Sequence, residues 1–250
     1  MFDLAGKCAL VTGSSRGIGR GIALSLAKAG ADIVLNSASC LEDAVKVGGE
    51  VEALGRKALA VKADVSRKEE VDTLFEDIMG RFGRLDILIN NAGTSQPRDI
   101  FSITEEDWDR ILAINLKSGY LCSKKAMEIM KEQMAGRIIF ISSVVGERGA
   151  LFGHLHYAAT KSGQLGMTKT LARTGAPYNI TVNAIAPGII ETELLYKTHG
   201  GEGVRELAKS IPLGLGTVED IGAAAVYLSS NEARYVTGAT LDVNGGAHFR

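Results

Sequence analysis

Short apolar runs alternate along the chain with longer segments of helical period. The runs of strand length stand at 8–13 (CALVTG), 32–36 (DIVLN), 58–65 (ALAVKADV), 85–93 (LDILINNAG), 137–143 (RIIFISS), 180–188 (ITVNAIAPG) and 240–246 (TLDVNGG). Patterns of helical period fill the gaps, at about 18–29, 41–54, 67–82, 104–133, 157–174, 203–209 and 218–230. Strands that are continuously Val, Ile and Leu, with no polar face, belong in a parallel sheet covered on both sides. Strict alternation of strand and helix then predicts right-handed βαβ units and an α/β, doubly wound sheet of about seven strands with helices on both faces. Residues 200–203 (GGEG) read as a mobile loop between two elements, and no linker or repeat divides the chain, so 1–250 is expected to be one domain.

Composition narrows the functional classes. At 46% hydrophobic and 23% charged residues the chain can build an ordinary globular core. Its net charge of −1 offers no basic surface for nucleic acid or an anionic membrane. Cys8, Cys40 and Cys122 are far apart and odd in number, which argues against a disulfide framework or a zinc site and for a reducing compartment. No metal site is expected. No run approaches the roughly 18 apolar residues of a membrane span, and the N-terminus lacks a basic, then apolar leader. A cytoplasmic location follows as the expectation.

The chemistry begins at TGSSRGIG (12–19), which closes the first strand and opens the first helix. Gly13 permits the tight turn, Gly17 lets the backbone approach a pyrophosphate, and Gly19 lets the helix pack close to the sheet. The helix start offers free N–H groups and a positive dipole to phosphates. The spacing is G-x-x-x-G-x-G, not the common G-x-G-x-x-G, and taken alone the segment could be a structural turn. Farther on, HYAATKSG sets Tyr157 and Lys161 four residues apart, neighbours on one helix face. Alone, that pair could be a ring packed on a lysine stem.

Taken together, these segments resemble the short-chain dehydrogenase/reductase family across essentially the whole chain. TGSSRGIG resembles its cofactor turn, which implies cofactor contacts from Gly13, Ser15, Arg16, Gly17, Ile18 and Gly19. ADV (63–65) resembles the adenine-contacting segment, with Asp64 toward the adenine and Val65 beside it. NNAG (90–93) brings Asn91, Ala92 and Gly93, and AINLKSG places Asn115 at the family's active-site asparagine. ISSVVG supplies Ser143, with Ser142 as its rival, and Y-x-x-x-K supplies Tyr157 and Lys161. NAIAPG running into IIET resembles the segment that meets the nicotinamide, through Pro187, Gly188, the Ile190 backbone and the Thr192 hydroxyl. The resemblance implies a Rossmann-type fold and a carbonyl–alcohol interconversion by hydride transfer.

In that implied reaction Tyr157 gives and takes the proton. A phenol ordinarily titrates near pH 10, and Lys161 would lower that value while holding the ribose hydroxyls. Ser143 would hydrogen-bond the reacting oxygen. Asn115 would anchor a water linking Lys161 to solvent. His156 reads as structural, His154 as a substrate-loop residue, and Cys122 as core. At the end of the second strand, Asn36 stands where an acid commonly selects NAD, while Arg16 is placed to meet a 2′-phosphate or simply to solvate the turn. NADP(H) is therefore favoured over NAD(H).

The resemblance looks closest to 3-oxoacyl-carrier-protein reductases, yet Met134 and Tyr178 occupy positions where such members carry arginines for an acidic carrier. Thr174 likewise replaces their usual Glu. Arg98, Arg148 and His154, on segments expected to line the pocket (94–98, 144–156, 190–213), point to a small polar substrate such as a sugar, polyol or hydroxy acid. The acyl-carrier-protein reductase is the alternative, and a non-catalytic dinucleotide sensor is less favoured because it needs no proton donor. Apolar residues Leu165, Met167 and Leu171 on the helix after Tyr157 fit two-sided burial and a homotetramer.

Overall fold

Each apolar run folds as a strand of one parallel sheet. The computed structural model describes residues 2–249, apart from the side chains of Leu194 and Thr198. In chain order it contains β1 (Cys8–Val11), α1 (Gly17–Lys28), β2 (Asp32–Ser37), α2 (Leu41–Ala53), β3 (Ala58–Lys62), α3 (Lys68–Phe82) and β4 (Ile87–Asn90). There follow α4 (Glu105–Leu112), α5 (Ser118–Gln133), β5 (Gly136–Ile141), α6 (Val145–Arg148) and α7 (Leu155–Gly175). The chain closes with β6 (Ile180–Pro187), α8 (Glu193–Lys209), α9 (Val218–Ser229) and β7 (Thr240–Val243). The strand order is β3-β2-β1-β4-β5-β6-β7, all parallel.

Alternate residues of the strands feed two cores. Ala9, Val11, Ile33, Leu35, Ile87 and Ile89 face one side, where α1, α2 and α9 cover them. Leu10, Val34, Leu88, Ile138 and Phe140 face the other, under α3, α5 and α7. This two-sided burial is why the strands read as unbroken apolar runs. On the first side, α1 and α9 meet backbone to backbone. A Cβ on Gly21 would lie 2.6 Å from Val218 Cβ, and one on Gly222 would lie 2.1 Å from Ser25 Oγ.

Three predicted boundaries change. The 104–133 pattern is two helices joined by a π-turn, Ala113–Lys117, with Asn115 at its centre. Such wide turns often mark functional positions, because they re-aim a side chain within a helix. The GGEG segment is not a loop: α8 runs through it and leaves helical geometry only at Gly200 (φ 63°, ψ 170°). Strands four and three end earlier than their apolar runs, since Asn91–Gly93 and Ala63–Val65 turn away from the ladder to line the sheet's C-terminal edge.

That edge carries the site. The sheet grows outward from β1 in both directions, to β2 and to β4. A crevice opens outside the strand ends where the order reverses, which is where open α/β sheets bind their ligands.

Candidate active site

The turn after β1 is built to leave helix donors open. Gly13 (φ 62°) and Gly17 (φ 55°) take a left-handed conformation that costs glycine nothing. A Cβ on Gly19 would lie 2.3 Å from Gly13 O, so α1 sits against its own turn. Helices α4 and α9 begin with capping boxes from Thr104 and Thr217 and with acids in the first turn. Helix α1 has neither: Arg16 makes no side-chain cap, and its first turn holds no acid. Uncapped N–H groups without a neutralising carboxylate fit an anionic ligand. The residues present thus fit the pyrophosphate of a dinucleotide.

Long-range hydrogen bonds hold this turn in place. Thr12 Oγ1 accepts from the amides of Asn91 (3.0 Å) and Ala92 (2.9 Å) and donates to Ile89 O (3.2 Å). Asn91 Nδ2 donates to the carbonyls of Thr12 (2.9 Å) and Gly13 (3.0 Å). Gly93 lies beside Asn115, whose Oδ1 would be 3.5 Å from an added Cβ. After β6, the Val144 amide donates to Pro187 O, Gly188 packs on Asn244, and Ile190 is buried beside Gly216. Thr192 caps α8 through Leu195 N, and its methyl approaches Gly17. The segments predicted to hold cofactor therefore converge on one crevice, with Ser15 and Ile18 partly exposed at its turn.

Asn36 departs from its expected place. It is only 1% exposed; its Oδ1 accepts from Gly13 N (3.3 Å) and its Nδ2 donates to Ala63 O (2.9 Å). The carboxamide staples the glycine turn to the segment after β3. Asp64 is turned on its own loop, accepting from the Ser66 amide (3.0 Å) and hydroxyl (2.7 Å), and Val65 is core. Arg16 remains exposed at the turn, and the ionised form of Asp43 at the start of α2 is favoured by Cys40 and Lys46 and, least, by Arg16.

The polar stripe of α7 forms the reaction centre. Ser143, just past β5, faces the Tyr157 phenol closely enough to favour its ionised form, while its Oγ accepts from Val145 N (3.1 Å). Ser142 is buried and donates to Lys161 O (2.9 Å), so only Ser143 faces Tyr157. Lys161 Nζ lies 5.5 Å from the Tyr157 ring centre and donates to Ile141 O (2.6 Å). Burial pushes the Lys161 amine down to about 8. Burial pushes the Tyr157 phenol up, and Ser143 opposes that rise. A positive charge added at the crevice would draw the phenol back toward neutrality.

Asn115 is fully buried. Its Oδ1 accepts from Thr94 N (2.8 Å) and its Nδ2 donates to Thr94 O (2.8 Å) and Thr160 Oγ1 (3.3 Å). Its main-chain carbonyl accepts from Gln164 Nε2 (2.8 Å). Sequence reasoning passed over Thr12, Thr160 and Gln164. A polar residue repeating on the buried face of α7 (Tyr157, Thr160, Lys161, Gln164, Thr168) was the available signal, since buried polar groups need partners.

The two histidines separate. His156 is buried, its Nδ1 accepting from the Tyr157 amide (3.0 Å) and its Nε2 meeting Gln96 Oε1 (3.3 Å). His154 stands at the start of α7 with φ 59°, its Nδ1 3.0 Å from Ser95 Oγ. Burial holds both below the usual imidazole value. Arg98 pairs with Asp107 (2.5 Å), and Arg148 donates to Ala247 O (3.3 Å). Among the described residues no cluster of His, Cys, Asp or Glu could hold a metal.

A phenol facing a serine and set beside an uncompensated lysine can pass a proton to an oxygen held at Ser143. The family model described as Enoyl-(Acyl carrier protein) reductase matches residues 13–248. The chain belongs to the short-chain dehydrogenase/reductase family. It is an oxidoreductase acting on CH–OH and carbonyl groups with a nicotinamide cofactor, which supplies or accepts the hydride when bound. A 3-oxoacyl-(acyl-carrier-protein) reductase, FabG, of Staphylococcus aureus is 41% identical over 244 residues, 97% of this chain and 98% of that protein. A protein of the same enzyme name from Synechocystis is 38% identical over 248 residues, 98% of each. The crystal structure of a short-chain type dehydrogenase/reductase from Mycobacterium marinum superposes with a TM-score of 0.94 at 31% identity, covering 100% of this chain and 98% of that one. No helix among the described residues is long and apolar enough to cross a membrane.

Proposed function

We propose that the enzyme reduces a 3-oxoacyl thioester with NADPH, with Tyr157 as proton donor, Lys161 and Ser143 beside it, and Asn115 fixing their geometry. The observation that carries the substrate choice is the state of the two arginines. Arg98 is paired with Asp107, so its charge is already met, and Arg148 gives one N–H to a main-chain carbonyl, which turns its head toward Ala247. The loops that follow the strand ends carry exposed apolar side chains: Leu151 and Phe152 before α7, Ile100 and Phe101 before α4, and Leu213 after α8. An exposed apolar rim suits an acyl chain better than a polyol. The names of the two relatives support the same class.

The carrier is a separate matter. Tyr178 lies under the Lys131 ammonium (5.3 Å to the ring centre), Met134 is half-exposed, and Arg137 reaches the neighbouring Asn179 carbonyl (3.4 Å). We place the enzyme in the cytoplasm as a homotetramer, with the exposed apolar groove of Leu112, Leu116, Tyr120 and Met167 as one of its interfaces. Sedimentation at subunit mass would contradict that assembly. The activity is tested by following NADPH oxidation with acetoacetyl-CoA, an acetoacetyl carrier protein, and a panel of keto sugars and 2-oxo acids. Thioester turnover supports the reading, and turnover confined to the polar panel would overturn it.

A further inference from the structure

We propose that Gln164 is a positioning residue of the reaction centre, its carboxamide tying the Asn115 main-chain carbonyl to the Lys161 amine. Gln164 is 1% exposed, one turn beyond Lys161 on α7. Its Nε2 donates to Asn115 O (2.8 Å), and its Oε1 accepts from Lys161 Nζ (3.5 Å). The carbonyl demands the NH2 end of the amide, so the oxygen is left facing the amine. Thr168 Oγ1 in turn donates to Gln164 O (2.8 Å), continuing the polar stripe.

The residue type matters. Asn115 O lies in a π-turn, outside the regular helical ladder, and is buried. An aliphatic side chain at 164 would remove its side-chain donor and leave Lys161 leaning on Ile141 O alone. A carboxylate would hold the amine but cancel its charge. The neutral amide meets both groups and adds no charge. Burial is the cause of the lowered amine value, with no charged side chain contributing from α5, β5 or the π-turn packed around it. The titratable neighbour is Tyr157, 5.5 Å away. Gln164 thus lets Lys161 keep an unneutralised charge directed at the phenol, with its remaining donor free for the ribose hydroxyls.

This inference rests on the reading of Lys161 as the group that stabilises phenolate and holds ribose. It is tested with the wild type, Gln164→Met and Gln164→Glu, by turnover of an acetoacetyl thioester between about pH 6 and 10, thermal unfolding, and NADPH fluorescence titration. Gln164→Met matches the shape but lacks the amide. Its kcat should fall about 10-fold or more with little change in KM, the low end for losing a hydrogen bond to a charged group. NADPH should bind several-fold more weakly. Gln164→Glu should move the alkaline limb of reduction about one pH unit upward, because a carboxylate near the ammonium removes its pull on the phenol. A folded Met variant within twofold of wild type in kcat and NADPH affinity would overturn the proposal, as would a Glu profile superimposed on the wild type. Should the Glu variant fail to fold, the Met variant decides. Should the wild type reduce no thioester, the substrate reading fails alone, and the NADPH titration still reports on Gln164.

Discussion

Replacing Arg16 by Ala tests whether this exposed cation at the glycine turn distinguishes NADPH from NADH. Arg16 begins α1 in extended conformation, is exposed, and has no acid in the first helical turn to neutralise it. Asn36, which stands where an acid commonly selects NAD, is turned inward on Gly13 and Ala63. Discrimination of a 2′-phosphate therefore falls on Arg16, against the nearby acids Glu42 and Asp43 at the start of α2. A hydrogen bond to a charged group contributes about 1.5–3 kcal/mol, or roughly 10–100-fold in affinity. Exposure and the opposing acids put the expectation at the lower end, about 10-fold. Nicotinamide fluorescence gives both dissociation constants without any substrate. The NADPH:NADH affinity ratio should fall about 10-fold in Arg16→Ala, with the NADH constant unchanged. Raising salt well above 0.15 M should shrink the wild-type ratio, since the screening length there is only about 8 Å. Equal wild-type affinities, or an unchanged ratio in the variant, would refute the assignment.

Tyr157→Phe should lose about 10²–10⁴-fold in kcat, the usual share of general acid catalysis, while NADPH affinity holds; near-normal turnover would remove Tyr157 from the mechanism. Asp86 lies at the opposite edge of the sheet, 4% exposed, accepting from Cys8 N (3.0 Å) and from Arg84 through two bonds (2.7 and 2.6 Å), with Lys7 at 3.3 Å. Burial opposes its charge, yet Arg84, the Cys8 amide and Lys7 hold its carboxyl below the usual value. Asp86→Ala should cost about 2–3 kcal/mol, the upper part of the range for a hydrogen bond to a charged group, because Arg84 and Lys7 can rehydrate but the Cys8 amide cannot. At about 2–4 °C per kcal/mol for this chain length the melting point should drop by roughly 4–12 °C. Its folded value is depressed, so the wild type alone should show this contribution eroding as pH falls below about 4; parallel acid unfolding of the two would contradict it. Burial pushes the Cys8 and Cys122 thiols up to about 12, whereas Cys40, at the start of α2, is partly exposed. A thiol reagent at pH 8 should label one cysteine per chain rapidly and the other two only on unfolding.

What local sequence determined is whatever depends on period and on short spacing. Two-sided strands must be continuously apolar, so DIVLN and RIIFISS announced a covered parallel sheet before any partner strand was known. Glycines at 13, 17 and 19 needed only the backbone they themselves form, and Tyr157 and Lys161 needed only the pitch of one helix. Tertiary structure decided everything that turns on which distant group a polar side chain meets. Asn36 looks like a ribose reader until Gly13 and Ala63 take its amide from across two strands. Arg98 looks like an anion receptor until Asp107, on α4, engages it. Resemblance chose Ser143 over Ser142, and the turn after β5 gives the reason, sending Ser142 to the Lys161 carbonyl and Ser143 toward Tyr157. Asn115 and Gln164 lie 49 residues apart, joined by a π-turn that no periodicity encodes. A side chain's type fixes what it can bond, but burial allows only the partner the folded chain brings within about 3 Å, and that choice belongs to the whole sheet.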